Sequence, residues 1–195
     1  MKLYAFTLTP NNRKVVAMIE QYGLDVDIHQ INFREQEHKS DEFLAINPMG
    51  KVPALVDGDF KLWEGNAILM YLCDCFPDLE VTPKDAQERA DIERWLHWQN
   101  YHFAHAVGAF FKEDKEQAQK DIEPLLQVLE KQLDGKDYIT GKLSPADFAI
   151  AAFCMGRAAA QVNWDGCPNL DAWRERMEAM KGFQATMPPP APSSA

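Results

Sequence analysis

The sequence contains no apolar run near the ~18 residues that a membrane-spanning helix needs. Residues 1–6 also lack the long apolar segment of a signal peptide, which favours a cytoplasmic protein. Basic residues are in the minority, since 20 Lys and Arg stand against 30 Asp and Glu, and the formal net charge is −10. This excess of negative charge argues against binding to nucleic acid or to an anionic membrane surface.

The chain has four cysteines, and no two of them form the C-x-x-C pair of a dithiol enzyme. Cys73 and Cys75 end an apolar helical pattern, with no His or Asp at metal-ligand spacing from them. This setting favours buried free thiols over a redox pair. We therefore expect neither a disulfide nor a bound metal ion.

The pattern of apolar residues changes abruptly along the chain. Residues 1–78 alternate strand-like and helix-like patterns in the order β-α-β-α-β-β-α, which is typical of an α/β thioredoxin-like domain. Prolines mark residues 77–83 as a linker, and residues 84–186 show only helical periodicity. Residues 187–195 are Pro-rich and are predicted to be disordered. The predicted fold class is thus a thioredoxin-like N-terminal domain followed by an all-α C-terminal domain.

Residues 47–72 contain the strongest functional signal in the chain. An apolar strand begins at Pro53, and a cis bond before this proline would turn the Val52 N–H and C=O outward, free to pair with an extended ligand. Glu64 follows a predicted hairpin and could bind an ammonium group, while the open amides of the next helix could receive a carboxylate. The pattern favours a ligand that has an amino-acid head group and a peptide backbone.

The sequence VPALVDGDFKLWEGNAI at residues 52–68 resembles the glutathione-binding half of the cytosolic glutathione transferases. Residues 37–44 and 143–149 extend the resemblance over essentially the whole chain, with theta-like, phi-like and nu-like features of bacterial-type members. The resemblance implies the glutathione transferase architecture and a homodimer. It also implies glutathione as cosubstrate and a hydrophobic, electrophilic small molecule as second substrate.

The resemblance assigns glutathione-binding residues as well. Val52 is expected to pair with the ligand backbone, and Glu64 matches the acidic residue that binds the γ-glutamyl ammonium. The family usually has Ser at the next position. Gly65 keeps the backbone N–H but loses a hydrogen bond worth about 1 kcal/mol, which Asn66 is expected to replace. A purely structural alternative is that Glu64 only favours the dipole of the following helix.

His38, Lys39 and Lys51 are expected to bind the glycyl carboxylate of the ligand. Residues 37–39 resemble the phi-type pattern, in which the basic residues face glutathione. An anionic ligand needs such local positive charge because the chain as a whole is acidic. Each of these side chains taken alone is more typical of a solvated surface charge.

Thr9 and Asn11 are the catalytic candidates. Thr9 and Asn12 stand where thioredoxin-like redox proteins carry their C-x-x-C pair, at a helix N-terminus that favours thiolate over thiol. The sequence Thr-Pro-Asn at residues 9–11 resembles the nu-type members, in which a Thr and an Asn approach the sulfur. Thr9 could alternatively serve only as the cap of a helix that begins at Pro10.

These residues predict a glutathione transferase that activates the thiol of bound glutathione for attack on a small electrophile. Two alternatives stay open: a glutathione-dependent disulfide-bond reductase or peroxidase of the nu type, and a non-catalytic interaction module with the same fold. Tyr101, His102 and His105 could line the pocket of the second substrate, which the sequence does not identify. Asp147 is expected to be structural, within the capping box of a buried helix.

Overall fold

The computed structural model of the protein describes residues 1–111 and 114–187. Of the Pro-rich tail that is predicted to be disordered, only Met187 lies within the described residues. The first part of the chain alternates strands and helices. Its elements are β1 (Lys2–Ala5), α1 (Pro10–Tyr22), β2 (Asp27–Gln30), a 3-10 turn (Glu37–Lys39), α2 (Asp41–Leu44), β3 (Ala54–Asp57), β4 (Phe60–Trp63) and α3 (Gly65–Cys75).

The four strands form one mixed sheet in the order β2-β1-β3-β4. Strand β1 lies parallel to β2 and antiparallel to β3, so that Leu3 stands opposite both Ile28 and Leu55. Strands β3 and β4 form the predicted hairpin, and Gly58 in its turn has a φ of +57°. This order and these directions are those of a thioredoxin-like sheet, and the predicted fold class is confirmed for this half.

The second part of the chain is helical. Within the described residues no strand follows β4, so the predicted change to an all-α half is confirmed, while domain boundaries at 78 and 84 stay a prediction. Its elements are α4 (Ala86–Trp98), a π-helical turn (Gln99–Phe103), α5 (Ala104–Ala109), α6 (Lys115–Gln132), α7 (Pro145–Ala151), a 3-10 turn (Ala159–Gln161), α8 (Pro168–Glu178) and α9 (Lys181–Ala185).

Helix α1 is buried between the two halves. It packs against α3 in the first half and against α7 and α9 in the second, and its buried side chains share one core cluster with Leu3 and Leu55 of the sheet. Gly182 of α9 lies so close to α1 that a Cβ atom there would stand 2.0 Å from the Ala17 carbonyl oxygen. The Gly182 N–H also donates to Gln21 Oε1 at 2.9 Å. This close packing fixes α1, and therefore the position of its N-terminus.

Asp147 has the structural role that the sequence predicts. Its fully buried carboxylate accepts hydrogen bonds from Ser144 N at 2.9 Å and Ser144 Oγ at 2.8 Å. The same carboxylate accepts from Ile139 N at 2.9 Å and from Trp173 Nε1 at 3.0 Å. A buried carboxylate needs such donors, and Asp147 therefore joins the start of α7 to α8.

All four cysteines are free thiols. Burial raises the pKa of Cys73 to about 11 and that of Cys154 to about 12, so both are protonated at neutral pH. Among the described residues, no group of three or more His, Cys, Asp or Glu side chains is placed to hold a metal ion. None of the described helices is both long enough and apolar enough to cross a membrane.

Candidate functional site

Thr9 stands at the N-cap position of α1, where its carbonyl accepts from Asn12 N at 3.0 Å and Arg13 N at 2.8 Å. Its exposed side chain makes no hydrogen bond to the helix backbone, so the predicted side-chain cap is not found. Instead, the hydroxyl donates to the Phe6 carbonyl at 3.2 Å and accepts from Asn12 Nδ2 at 2.6 Å. The hydroxyl is therefore open to a ligand at the N-terminus of α1.

Asn12 is the residue that holds this turn together. Its side chain is only 2% exposed; Oδ1 accepts from Phe6 N at 3.1 Å, and Nδ2 donates to Thr9 Oγ1 and, at 3.4 Å, to the Val52 carbonyl. Its spacing from Thr9 is visible in the sequence, but this role was not predicted. Its helical spacing from the apolar Val15, Val16 and Ile19 could have indicated that it faces the core. Asn11, the other predicted catalytic residue, is exposed in the first turn of α1.

The Val52–Pro53 peptide bond is cis. Within residues 1–111 and 114–187 the Val52 N–H donates to no protein group, and its carbonyl accepts only the long bond from Asn12. Asn47 shapes the preceding turn, because its side chain donates to the Lys51 carbonyl at 2.7 Å and accepts from Met49 N at 3.0 Å. The turn thus presents a free backbone N–H just before β3, as the sequence predicts for a cis bond.

The predicted basic residues lie around the same turn. Lys39 Nζ donates to the Gly50 carbonyl at 3.4 Å, and the ring centroid of His38 lies 4.5 Å from that of Phe33. His38 Nδ1 is buried and has no hydrogen-bond partner in the described part of the chain. Lys51 is exposed beside Val52. The structure therefore brings His38 and Lys39 against the turn that carries Lys51.

Glu37 anchors the 3-10 turn that carries His38 and Lys39. Its carboxylate accepts from Asn32 N at 2.8 Å and lies 2.5 Å from His29 Nε2. The backbone N–H of Asn32 and the contact with His29 lower the pKa of Glu37. The carboxylate is thus charged at neutral pH and can fix this loop beside the site.

Glu64 immediately precedes α3 with a φ of +76° and a ψ of 113°, a conformation that costs a non-glycine residue about 1–3 kcal/mol. Its exposed carboxylate forms no hydrogen bond or ion pair with any described residue, and it does not cap α3. The surrounding structure holds this backbone in place. Backbone strain of this kind is common at binding sites, and the free carboxylate is available to a cation of a ligand. The binding role of Glu64 stays a prediction.

Gly65 and Lys14 lie in direct contact. A Cβ atom on the buried Gly65 would stand 2.5 Å from Lys14 Cε and 2.9 Å from the Asn11 carbonyl oxygen. Lys14 is only 1% exposed, and its Nζ donates to Asn66 Oδ1 at 2.7 Å and to Gln99 Oε1 at 3.5 Å. Burial lowers the pKa of Lys14 to about 7, although the Glu64 carboxylate opposes this change.

Asn66 faces the helical half of the protein. Its Nδ2 donates to the Leu96 carbonyl at 2.7 Å and to Gln99 Oε1 at 3.2 Å, while its Oδ1 accepts from Lys14. Gln99 begins the π-helical turn, and such turns are frequent at functional sites. The Asn66 side chain thus has partners on α1, α4 and the π-helical turn, and its predicted replacement of a serine hydroxyl stays a prediction.

The start of α1 is the point at which these parts meet. It contacts the cis-proline turn through Asn12 and the start of α3 through Asn11 and Lys14.

Farther along the chain, the ring centroid of the exposed Tyr101 lies 4.9 Å from that of His102 and 5.9 Å from that of His105. These three side chains form an exposed aromatic cluster on the helical half.

The fold and the site define a class of protein: a thioredoxin-like domain with a free backbone N–H beside a cis-proline, followed by a helical domain. The glutathione S-transferase N-terminal domain matches residues 1–74, and the glutathione S-transferase C-terminal domain matches residues 81–181. The chain therefore belongs to the glutathione S-transferases, a family of enzymes.

Full-length relatives agree with this assignment. Glutathione S-transferase 3 from Zea mays is 32% identical, over 100% of this chain and 99% of the relative. Glutathione S-transferase theta-1 from Rattus norvegicus is 33% identical, over 93% of this chain and 84% of the relative. The predicted family and the predicted transferase function are thus confirmed.

Two solved structures are similar over almost the whole chain. A glutathione transferase from Burkholderia graminis, with two glutathione molecules bound per subunit, has a TM-score of 0.86 at 29% identity, covering 97% of this chain and 88% of that one. A glutathione transferase family member from Pseudomonas fluorescens, with two glutathione bound, has a TM-score of 0.84 at 28% identity, covering 95% and 91%.

Proposed function

We propose that this protein binds glutathione between the cis-proline turn and the start of α3, and activates its thiol for attack on a hydrophobic electrophile. The observation that supports this most is the free Val52 N–H, two residues before Ala54, which pairs with Trp63 beside the free Glu64 carboxylate. A free backbone N–H can pair with the cysteinyl backbone of the ligand.

The two ends of glutathione carry charges that these residues can bind. Glu64 accepts from the γ-glutamyl ammonium, and the Gly65 N–H at the N-terminus of α3 donates to the γ-glutamyl carboxylate. The glycyl carboxylate, at the opposite end of glutathione, is bound by the basic side chains around the cis-proline turn, which are His38, Lys39 and Lys51. Asn66 contributes its backbone N–H rather than its side chain, which bonds to the helical half.

Thr9 is the group proposed to activate the thiol. Its hydroxyl turns from the Phe6 carbonyl and donates to the ligand sulfur, which stabilises the thiolate together with the N-terminus of α1. The thiol proton passes to solvent water. The thiolate then attacks the electrophilic carbon, a C–S bond forms, and the leaving group departs with its electron pair. Asn11, exposed in the first turn of α1, is the second candidate for this role.

We also propose a cytoplasmic homodimer that pairs through α3 and α4. These helices border a cavity of about 590 Å³, lined by apolar side chains such as Leu62, Met70 and Leu96. Phe60 at its edge is 48% exposed. A second copy of the chain would cover this surface.

Neither a disulfide reductase nor a non-catalytic module is favoured by any contact in the site.

Calorimetric titration tests the proposal. Glutathione should bind, whereas the dipeptide Cys-Gly should bind far more weakly because it lacks the head group that Glu64 recognises. The enzyme should then conjugate glutathione to chloronitrobenzene substrates. Reduction of hydroperoxides and of hydroxyethyl disulfide, measured in parallel, distinguishes the alternative reactions. Equal binding of the two peptides, or no glutathione-dependent conjugation, would refute the proposed function.

A further inference from the structure

Lys14 occupies the space that a side chain at position 65 would need. The Cβ position of Gly65 lies 2.5 Å from Lys14 Cε and 3.3 Å from Lys14 Nζ. A serine at this position, which the resemblance to the family leads one to expect, could not be accommodated without moving Lys14. In this chain the end of the Lys14 side chain, with Cε nearer than Nζ, therefore lies against the position from which a serine side chain would extend.

Among the described residues, one opposing charge acts on Lys14. Helix α3 contributes Asn66 and the π-helical turn contributes Gln99, whose Nε2 is buried without a partner among the described residues. The ring centroid of Phe153, just after α7, lies 5.9 Å from Nζ, and none of these three groups titrates. The charge that acts on Lys14 is the Glu64 carboxylate at the start of α3.

A buried ammonium held by neutral amides is costly in the free protein. It has three N–H groups, and the two hydrogen bonds that it makes differ in quality, at 2.7 Å and 3.5 Å. Glu64 cannot serve as a fixed partner, because its carboxylate is exposed and forms no ion pair with the described residues. An anion bound at the start of α3 would offset this cost.

We propose that Lys14 provides the positive charge for the γ-glutamyl carboxylate of glutathione, in place of the hydroxyl missing at Gly65, and that binding draws a proton onto Lys14. This inference rests on the proposed glutathione site. Lys14 acts from beneath the first turn of α3, so it is a positioning residue for the ligand rather than a catalytic residue.

The proposal predicts the direction of proton transfer. Burial lowers the pKa of Lys14 to about 7, so a fraction of the free protein carries a neutral amine at neutral pH. A bound carboxylate raises this pKa, so ligand binding takes up a proton above about pH 7 and takes up almost none at about pH 6. Affinity should accordingly fall with rising pH, by at most about tenfold per pH unit.

Calorimetry with S-methylglutathione measures this uptake without interference from a thiol. At about pH 6 and about pH 8, titrations in buffers of different ionisation enthalpy give the number of protons bound. We expect uptake at the higher pH only. The amino group of the ligand also takes up protons at the higher pH when it pairs with Glu64, so Lys14→Met should show a clearly smaller uptake than the parent. It should also bind roughly tenfold more weakly at the lower pH, because a charged partner is removed.

A compensating pair of substitutions separates charge from packing. Gly65→Ser alone should weaken binding because its Cβ meets Lys14 and the Asn11 carbonyl. Adding Lys14→Ala removes the contact with the Lys14 side chain but not the one with the Asn11 carbonyl, so the double variant should regain part of the affinity and show no more proton uptake than Lys14→Met.

If the parent binds S-methylglutathione with no uptake at about pH 8, the role of Lys14 is refuted even if Lys14→Met does not fold. If the parent does not bind S-methylglutathione at all, both the proposed glutathione site and the proposed role of Lys14 are refuted.

Discussion

Asn12 donates a 2.6 Å hydrogen bond to the Thr9 hydroxyl oxygen, while its other side-chain atom accepts from Phe6 N. Because this bond occupies a lone pair of the hydroxyl, the Thr9 proton must point elsewhere. It now points to the Phe6 carbonyl at 3.2 Å, a long bond for a hydroxyl donor. A donated hydrogen bond also polarises the O–H group and strengthens it as a donor. Asn12 thus orients the Thr9 hydroxyl for the proposed bond to a thiolate.

Thr9→Val tests this role, since it keeps the shape of the side chain and removes the donor. We expect conjugation to slow by about tenfold or more, as when one donor to a developing anion is removed. The pH profile should shift to higher pH, because the thiol pKa of bound glutathione would rise. Glutathione affinity, measured by calorimetry, should change less than the rate.

Thr9→Ser is the matched control, because it retains the hydroxyl and should keep both the rate and the pH profile. No N-terminal capping bond is lost in Thr9→Val, since the Thr9 side chain makes none. A fully active, normally folded Thr9→Val with an unshifted profile would exclude Thr9. Asn11→Ala in the same assay would then test the second candidate.

Glu64→Gly separates binding from stability at one position. Glycine accepts the positive φ of Glu64 without strain, so the free protein should become more stable to urea by about 1 kcal/mol. Loss of the carboxylate should weaken glutathione binding about tenfold, a modest figure because the side chain is exposed.

Glu64→Gln should reproduce the loss of affinity without the gain in stability, since its backbone strain remains. Glu123→Gln, at an exposed position on α6, is the control for removing one negative charge. Undiminished affinity in Glu64→Gln would contradict the assignment of Glu64 to the ligand ammonium.

The parts of the site that the sequence predicts are those set by local chemistry. The turn at Pro53, the hairpin at Gly58 and the helix that ends at Gly23 depend on backbone preferences of neighbouring residues. Asn12 and Lys14 are different, because their burial depends on elements far along the chain. Lys14 is a long polar residue that sequence reasoning places on the surface, yet Gln99 lies beside it.

Two further features escaped the sequence analysis for the same reason. Helix α9 is short, and its contact with α1 requires Gly182, which gives no helical signal. The orientation of Asn66 is set by the Leu96 carbonyl, near the end of α4. Such contacts between distant segments cannot be obtained from periodicity, which reports only the buried face of each element.

Lys14 should also make stability depend on pH. In the folded protein its pKa is about 7, below its ordinary 10.5 in the unfolded chain. Between these values the unfolded chain holds a proton that the folded protein releases, so Lys14 destabilises the fold progressively as pH falls from about 10 to about 7. The effect at pH 7 is on the order of a few kcal/mol.

Urea unfolding at several pH values between about 7 and 10 measures this effect. The stability of the parent should rise with pH relative to that of Lys14→Met, whereas Lys115→Met, at an exposed site on α6, should follow the parent. Parallel curves for the parent and Lys14→Met would show that Lys14 is not titrating in this range.

The proposed homodimer predicts that the parent sediments at twice its 22.2 kDa chain mass. Ala67 is exposed on α3 and lines the cavity between α3 and α4, so Ala67→Arg would introduce a charge at the centre of the interface without removing a core side chain. We expect this variant to be a folded monomer in sedimentation velocity.

Ala172→Arg adds the same charge at an exposed position on α8 and should remain a dimer. Because Glu64 also borders the cavity, a partner subunit would lie next to the glutathione site. The monomeric Ala67→Arg should therefore bind glutathione more weakly than the dimeric control. A parent that sediments at the mass of one chain, or an Ala67→Arg variant that still pairs, would show that α3 and α4 do not form the interface.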